Sequence, residues 1–141
     1  MPLFVRRRRW ILFSADNGGP PPGSNTPLRD FKGSIYEGGV RGAAFANWPG
    51  KIPGGQRLTA PMHIIDWYPT LVKLAGGSLE QKLPLDGRDV WPVLTEKAAS
   101  PHEAILCVQS PDNAALRMGD WKLIVSNGTV LCPPRDNLIL P

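Results

Sequence analysis

Asp16-Asn17 is followed at once by Gly18-Gly19, and the acid–amide pair closes a short apolar run. A carboxylate beside an amide oxygen, with a glycine-rich turn after it, is hard-oxygen ligation suited to calcium or magnesium. Asp, Asn and Gly also make ordinary strand-ending turns, so the tetrapeptide by itself fits either use. Further along, Lys32 stands beside Gly33, and Glu37-Gly38-Gly39-Val40-Arg41 follows. A lysine ammonium is a compact point charge with three donors, apt for a tetrahedral oxyanion. Glycines let backbone N–H groups approach an anion closely. Taken alone, these charges also fit a solvated loop. Of the two histidines, His102 follows Pro101 in a loop and reads as a surface residue. His63 precedes a helical pattern, where an imidazole either lines a site or serves as a cap or packing group.

The elements that must position these groups follow from the apolar pattern. Trp10-Ile11-Leu12-Phe13 is a continuous apolar run ending at the carboxyl end of a strand, where ligands of open α/β sheets bind. Such a run predicts a strand buried on both faces, as in a parallel sheet. Residues 18–27 (GGPPPGSNTP) are loop, because proline and glycine exclude helix and central strand. Residues 42–48 (GAAFANW) predict a second short strand closed by Pro49-Gly50. Ile64, Tyr68, Leu71, Val72 and Ala75 recur at helical period. For that helix Asp66 is the expected N-cap, Pro69 falls in the first turn, and Gly76-Gly77 ends it. Residues 78–103 read as irregular, broken by Pro84, Pro92 and Pro101. A strand is expected over 104–108, then a hairpin whose arms flank Gly119-Asp120, a Gly-X pair that suits a type II′ turn. Trp48, Trp67 and Trp91 read as core, because no basic residues interleave with them as on a base-stacking platform.

Composition bounds the function classes. Glycine (15) and proline (16) in 141 residues signal a loop-heavy chain. Of the 16 basic residues, Arg6 to Arg9 supply a terminal run, and the remainder balance the 12 acidic ones. No basic face tracks phosphates, so no nucleic-acid partner is expected. No apolar run approaches the ~20 residues of a membrane span. The four apolar residues after the arginine run are also too few for a signal-peptide core of ~7–15. Two cysteines, Cys107 and Cys132, do not establish a disulfide framework, and whether they pair is left open. Asn127-Gly128-Thr129 fits a glycosylation acceptor.

The order of these motifs resembles a known family. FSADNGG, then Asn25-Thr26-Pro27-Leu28-Arg29, Lys32-Gly33, Glu37-Gly38-Gly39-Val40-Arg41 and Trp48-Pro49-Gly50 look like the second signature region of the type I sulfatases. The likeness is to the arylsulfatases of the arylsulfatase B, I and J kind in particular. It continues through His63-Ile64-Ile65-Asp66-Trp67-Tyr68-Pro69-Thr70, Leu85-Asp86-Gly87, and Ala115-Leu116-Arg117 with Gly119-Asp120-Trp121-Lys122-Leu123. The resemblance covers residues 10–126 and stops before the tail. It implies the α/β, alkaline-phosphatase-like sulfatase fold, C-terminal part, with a small antiparallel sheet at the C-terminal end. Residues 1–98 would complete a catalytic domain, and 99–141 would form a small antiparallel subdomain with a divergent tail.

By the same resemblance the chain is expected to serve a sulfuric ester hydrolase acting on a sulfated small molecule or glycan. Asp16 and Asn17 would bind Ca2+. Lys32 would be the catalytic, sulfate-gripping lysine, and His63 a further substrate-binding candidate. The family nucleophile is a formylglycine hydrate made from the cysteine of a C-x-P-S-R motif, which attacks sulfur, expels the alcohol and then eliminates sulfate. No C-x-P-S-R occurs here. Cys132-Pro133-Pro134-Arg135 lacks the serine and places its arginine one residue early. This chain alone is therefore expected to be inactive, the formylglycine lying in a missing N-terminal half. The family implies a lysosomal or secretory/extracellular location. The alternatives are a non-catalytic binding product of a sulfatase gene, or a phosphoric ester hydrolase of the same superfamily.

Overall fold

The computed structural model describes residues 9–131. Arg6, Arg7, Arg8, Cys132 and the tail after it lie outside the described residues, and with them the question of a Cys107–Cys132 pair. The described chain forms two compact units that interleave in sequence. The first holds 9–14 with Ala44–Pro101, the second Ala15–Ala43 with 102–131.

In the first unit β1 (Ile11–Ser14) pairs with β2 (Ala44–Asn47), both where the sequence put strands. The pairing is antiparallel, with Phe13 opposite Phe45, and not the parallel arrangement expected. Nor are the faces buried: Ile11, Phe13 and Phe45 are each at least half exposed. Burial on both faces needs cover on both faces, which an apolar run cannot supply for itself. The flanking tryptophans do pack. Trp10 stacks on Trp48 at 5.3 Å, and Trp91 meets both edge-on at 6.3 and 5.7 Å.

The helix signal is realised as a 3₁₀ turn, Ile64–Asp66, running into α2 (Trp67–Leu74). Gly76, at φ 73°, ends it in the left-handed region that glycine adopts without a Cβ clash. The capping differs from expectation. His63 caps the 3₁₀ turn, its Nδ1 accepting from Ile65 N, while Asp66 makes no side-chain cap to α2. The fully buried Asp66 carboxylate instead accepts the backbone N–H groups of His63 (2.7 Å) and Arg88 (2.8 Å). Thr70 Oγ1 donates to Asp66 O and accepts from Val90 N, sealing the same segment onto α2. The periodic face of this helix stays open, with Ile64, Tyr68 and Leu71 exposed. A short helix, α3 (Trp91–Glu96), lies where the prolines suggested irregular chain. Pro92 sits in its first turn, where its missing N–H costs nothing, and Val93 and Leu94 are buried.

In the second unit β3 (Ile105–Ser110), β4 (Asn113–Met118), β5 (Trp121–Ser126) and β6 (Thr129–Leu131) form an antiparallel meander in chain order. The Gly119-Asp120 hairpin is as expected, with Gly119 at φ 56°. The β3 strand begins at Ile105 and extends to Ser110. One face of the sheet carries Ala115 and Ile124 against Ile35, with Tyr36 alongside. Ile35 and Tyr36 lead into a single helical turn, α1 (Glu37–Val40), made by the Glu-Gly-Gly motif.

Candidate functional site

Asp16 and Asn17 form a turn whose backbone is fastened at several points. Ala15 N donates to Ala43 O at 2.8 Å, and Gly18 N to Gly39 O at 2.9 Å. Gly18 is buried, and a Cβ there would run into the carbonyl oxygen of Gly38. A Cβ on Gly38 would in turn meet the carbonyls of Arg29 and Asp30. Three backbones meet where no side chain fits, which is why the sequence writes glycine on both sides.

Asn25 staples this packing. Its Nδ2 donates to Gly19 O (2.8 Å) and Gly38 O (3.0 Å), while its Oδ1 accepts from Gly19 N (3.1 Å). Sequence reasoning missed this role, since an asparagine in a proline-rich loop reads as a turn former. Lys32 is brought onto the same turn: its N–H donates to Gly19 O at 3.1 Å, and its ammonium reaches Asp16 Oδ2 at 3.1 Å. Both side chains are exposed, so the contact adds little stability. The hydrogen bond from Lys32 holds the Asp16 carboxyl below the usual carboxylate range, so Asp16 is a carboxylate at neutral pH.

The Asn17 amide helps to close the turn. Its nitrogen donates to Asp16 Oδ1 (3.0 Å) and Gly18 O (3.2 Å). A carboxylate and a side-chain amide on one turn are hard-oxygen donors of the kind that calcium takes. Among the described residues no group of three or more His, Cys, Asp or Glu side chains is arranged to hold a metal.

A second charged cluster lies under the Glu-Gly-Gly turn, and sequence reasoning did not single it out. Buried Glu37 accepts from Arg117 Nη1 at 2.7 Å through Oε2 and from Lys122 Nζ at 2.9 Å through Oε1. Cys107 lies near it, and burial pushes its thiol pKa up, so it is a poor nucleophile.

His63 belongs to the other unit, half-buried, with Nδ1 engaged in its cap. Asn127 is exposed in the tight turn between β5 and β6, at φ 48°.

This geometry has clear relatives. The chain is 41% identical to mouse (Mus musculus) arylsulfatase J over 113 residues, which are 79% of this chain and 19% of that protein. It is 39% identical to human arylsulfatase A over 123 residues, again 79% of this chain and 24% of the other. The chain belongs to the sulfatase family. A solved sulfatase, PsFucS1 from Pseudoalteromonas sp., matches with a TM-score of 0.69 at 29% identity, covering 89% of this chain and 28% of that one. No protein-family model matches the chain. The sulfatase fold expected from the motifs therefore holds, as a C-terminal part with its small antiparallel sheet. The chain spans a fifth to a quarter of the length of these curated sulfatases.

Proposed function

We propose that this segment supplies the metal-binding turn and the sulfate-binding lysine of a sulfuric ester hydrolase, with Asp16 and Asn17 as calcium ligands and Lys32 as the anion contact. The observation that carries this reading is the convergence of all three on one glycine-packed turn, with Lys32 Nζ 3.1 Å from Asp16 Oδ2. At that spacing an anion drawn to a cation on Asp16 is also within reach of the ammonium. Calcium, when bound, would supply positive charge that polarises a sulfate oxygen. Lys32 would add a preorganised donor aimed at the negative charge that develops on the sulfuryl group. His63 enters this reading chiefly as a helix cap, since one ring nitrogen is committed to Ile65 N.

Catalysis is assigned to the full-length protein, because none of these 141 residues lies in a C-x-P-S-R motif. The substrate class is a sulfated small molecule or glycan, and the location lysosomal or secretory. Asn127, exposed and followed by Gly128-Thr129, is the proposed glycan acceptor. A glycosidase-induced mobility shift that survives Asn127→Gln would remove that assignment.

The test of the site is made in the full-length protein. Asp16→Ala should lower both calcium content and turnover of an aryl sulfate. Lys32→Ala should keep the metal yet lose roughly 10²–10³-fold in turnover, the usual cost of one preorganised charge contact. Near-normal turnover from folded Lys32→Ala would end the anion-binding assignment. Faster turnover of the matching phosphate ester would favour a phosphoric ester hydrolase instead.

A further inference from the structure

Arg117 and Lys122 stand directly opposite each other on β4 and β5, and both point to the covered face of the sheet. Like charges opposed across two strands repel, and Lys122 is almost wholly buried, so neither position is tolerable without an anion between them. Glu37 is that anion, giving one oxygen to each cation. Its sequence separation from them is 80 and 85 residues, so the cluster ties the start of the segment to its end.

What Glu37 holds is the backbone against which the metal-binding turn rests. Gly39 O receives Gly18 N, Gly38 O receives Asn25 Nδ2, and Gly38 N donates to Arg29 O. The Lys32 loop is thereby fixed from both ends, and Gln109 of β3 adds a hydrogen bond to Gly33 O. Asp16 and Lys32 themselves are exposed and have little packing of their own. Their mutual placement is inherited from the Glu-Gly-Gly turn, and that turn is pinned to the sheet by Glu37.

We propose that Glu37, clamped between Arg117 and Lys122, is the positioning residue that sets the spacing of Asp16, Asn17 and Lys32. The inference rests on the functional reading above and assigns Glu37 no contact with metal or substrate. Partners that orient a ligand from outside the metal's own shell typically change metal affinity by about 10–100-fold when removed.

The experiment is calcium titration of the full-length protein, by calorimetry and by calcium-dependent turnover, with thermal unfolding measured alongside. The calcium midpoint of the folded fraction does not depend on how much protein survives, so simple destabilisation leaves it in place. Glu37→Gln should raise that midpoint about tenfold or more, with turnover recovering as calcium is added. Because this substitution leaves Lys122 without its anion, the paired variant Glu37→Gln/Lys122→Met removes the stranded charge and restores folding. Its midpoint should remain raised. Arg117→Gln should show a smaller rise that Arg117→Lys reverses. A wild-type midpoint in the folded paired variant overturns the proposal. Asp16→Ala serves as the control: if it too binds calcium normally, the metal-site reading fails, and this inference falls with it.

Discussion

The 3.1 Å contact from Lys32 to Asp16 has a consequence for pH. Lys32 holds the folded-state pKa of Asp16 below its unfolded value of 3.8, so the contact favours the folded form at pH above that value and is lost as pH falls through the depressed one. The carboxylate is largely exposed, so water and salt screen the contact. In metal-free protein, Lys32→Ala should move the Asp16 titration upward, read from the side-chain carbon shift. An unchanged titration would mean that the ammonium does not rest on Asp16 in solution. The same residue scale explains why Asp16 and Lys32 were legible in the sequence. Both are charged and sit beside glycines at the end of a strand or in a loop, where a charge has no packing role to fill.

At the scale of the element, Asp66 shows how a buried carboxylate can organise a loop. It accepts two backbone donors, from His63 close by and from Arg88, 22 residues further along, and Thr70 secures the next step at Val90. Asp66→Ala leaves both donors without that acceptor, at about 1–3 kcal/mol for each buried donor left unpaired. A lowered thermal midpoint should follow, larger than for the exposed Asp86 changed to Asn. Equal midpoints would show that water takes over both donors. The helical period around Asp66 was readable, but its use was not: a carboxylate just before a helix looks like an N-cap, and only the return of residues 86–90 reveals the other partner. Pro92 misled in the same way, since a proline breaks a helix interior yet suits a first turn.

For the molecule as a whole, the apolar residues that remain uncovered matter more than those in the cores. Leu106, Leu116 and Leu123 lie in register across β3, β4 and β5 on one face, with Val108, Met118, Trp121 and Val130 also exposed. Ile11, Phe13 and Phe45 do the same on the two-stranded sheet. Contiguous apolar surface of this kind drives association when nothing covers it. The 141-residue chain expressed alone should therefore self-associate or bind a hydrophobic dye strongly, as expected from its unpaired strand edges. A soluble monomer with a sharp, cooperative thermal transition would contradict this. The same chain should show no sulfatase turnover, and activity above that of an Asp16→Ala control would point to an unrecognised nucleophile.

Residue types and their order were enough to disclose the family, the hairpin at Gly119-Asp120, the strand positions of β1 and β2, and the candidate trio Asp16, Asn17 and Lys32. Each of these depends on local chemistry, which the chain states directly. Which face of each element is covered was settled only by contacts between distant segments. In β5 the alternation runs against composition, with Lys122 and Ile124 inward and Trp121 and Leu123 outward. Period alone gives two faces and cannot say which is the inner one. The inward lysine is stabilised only because Glu37, 85 residues earlier, arrives as its counter-charge. A contact of that separation has no local signature: the free energy that makes Lys122 a core residue belongs to the pair and not to either residue's place in the chain.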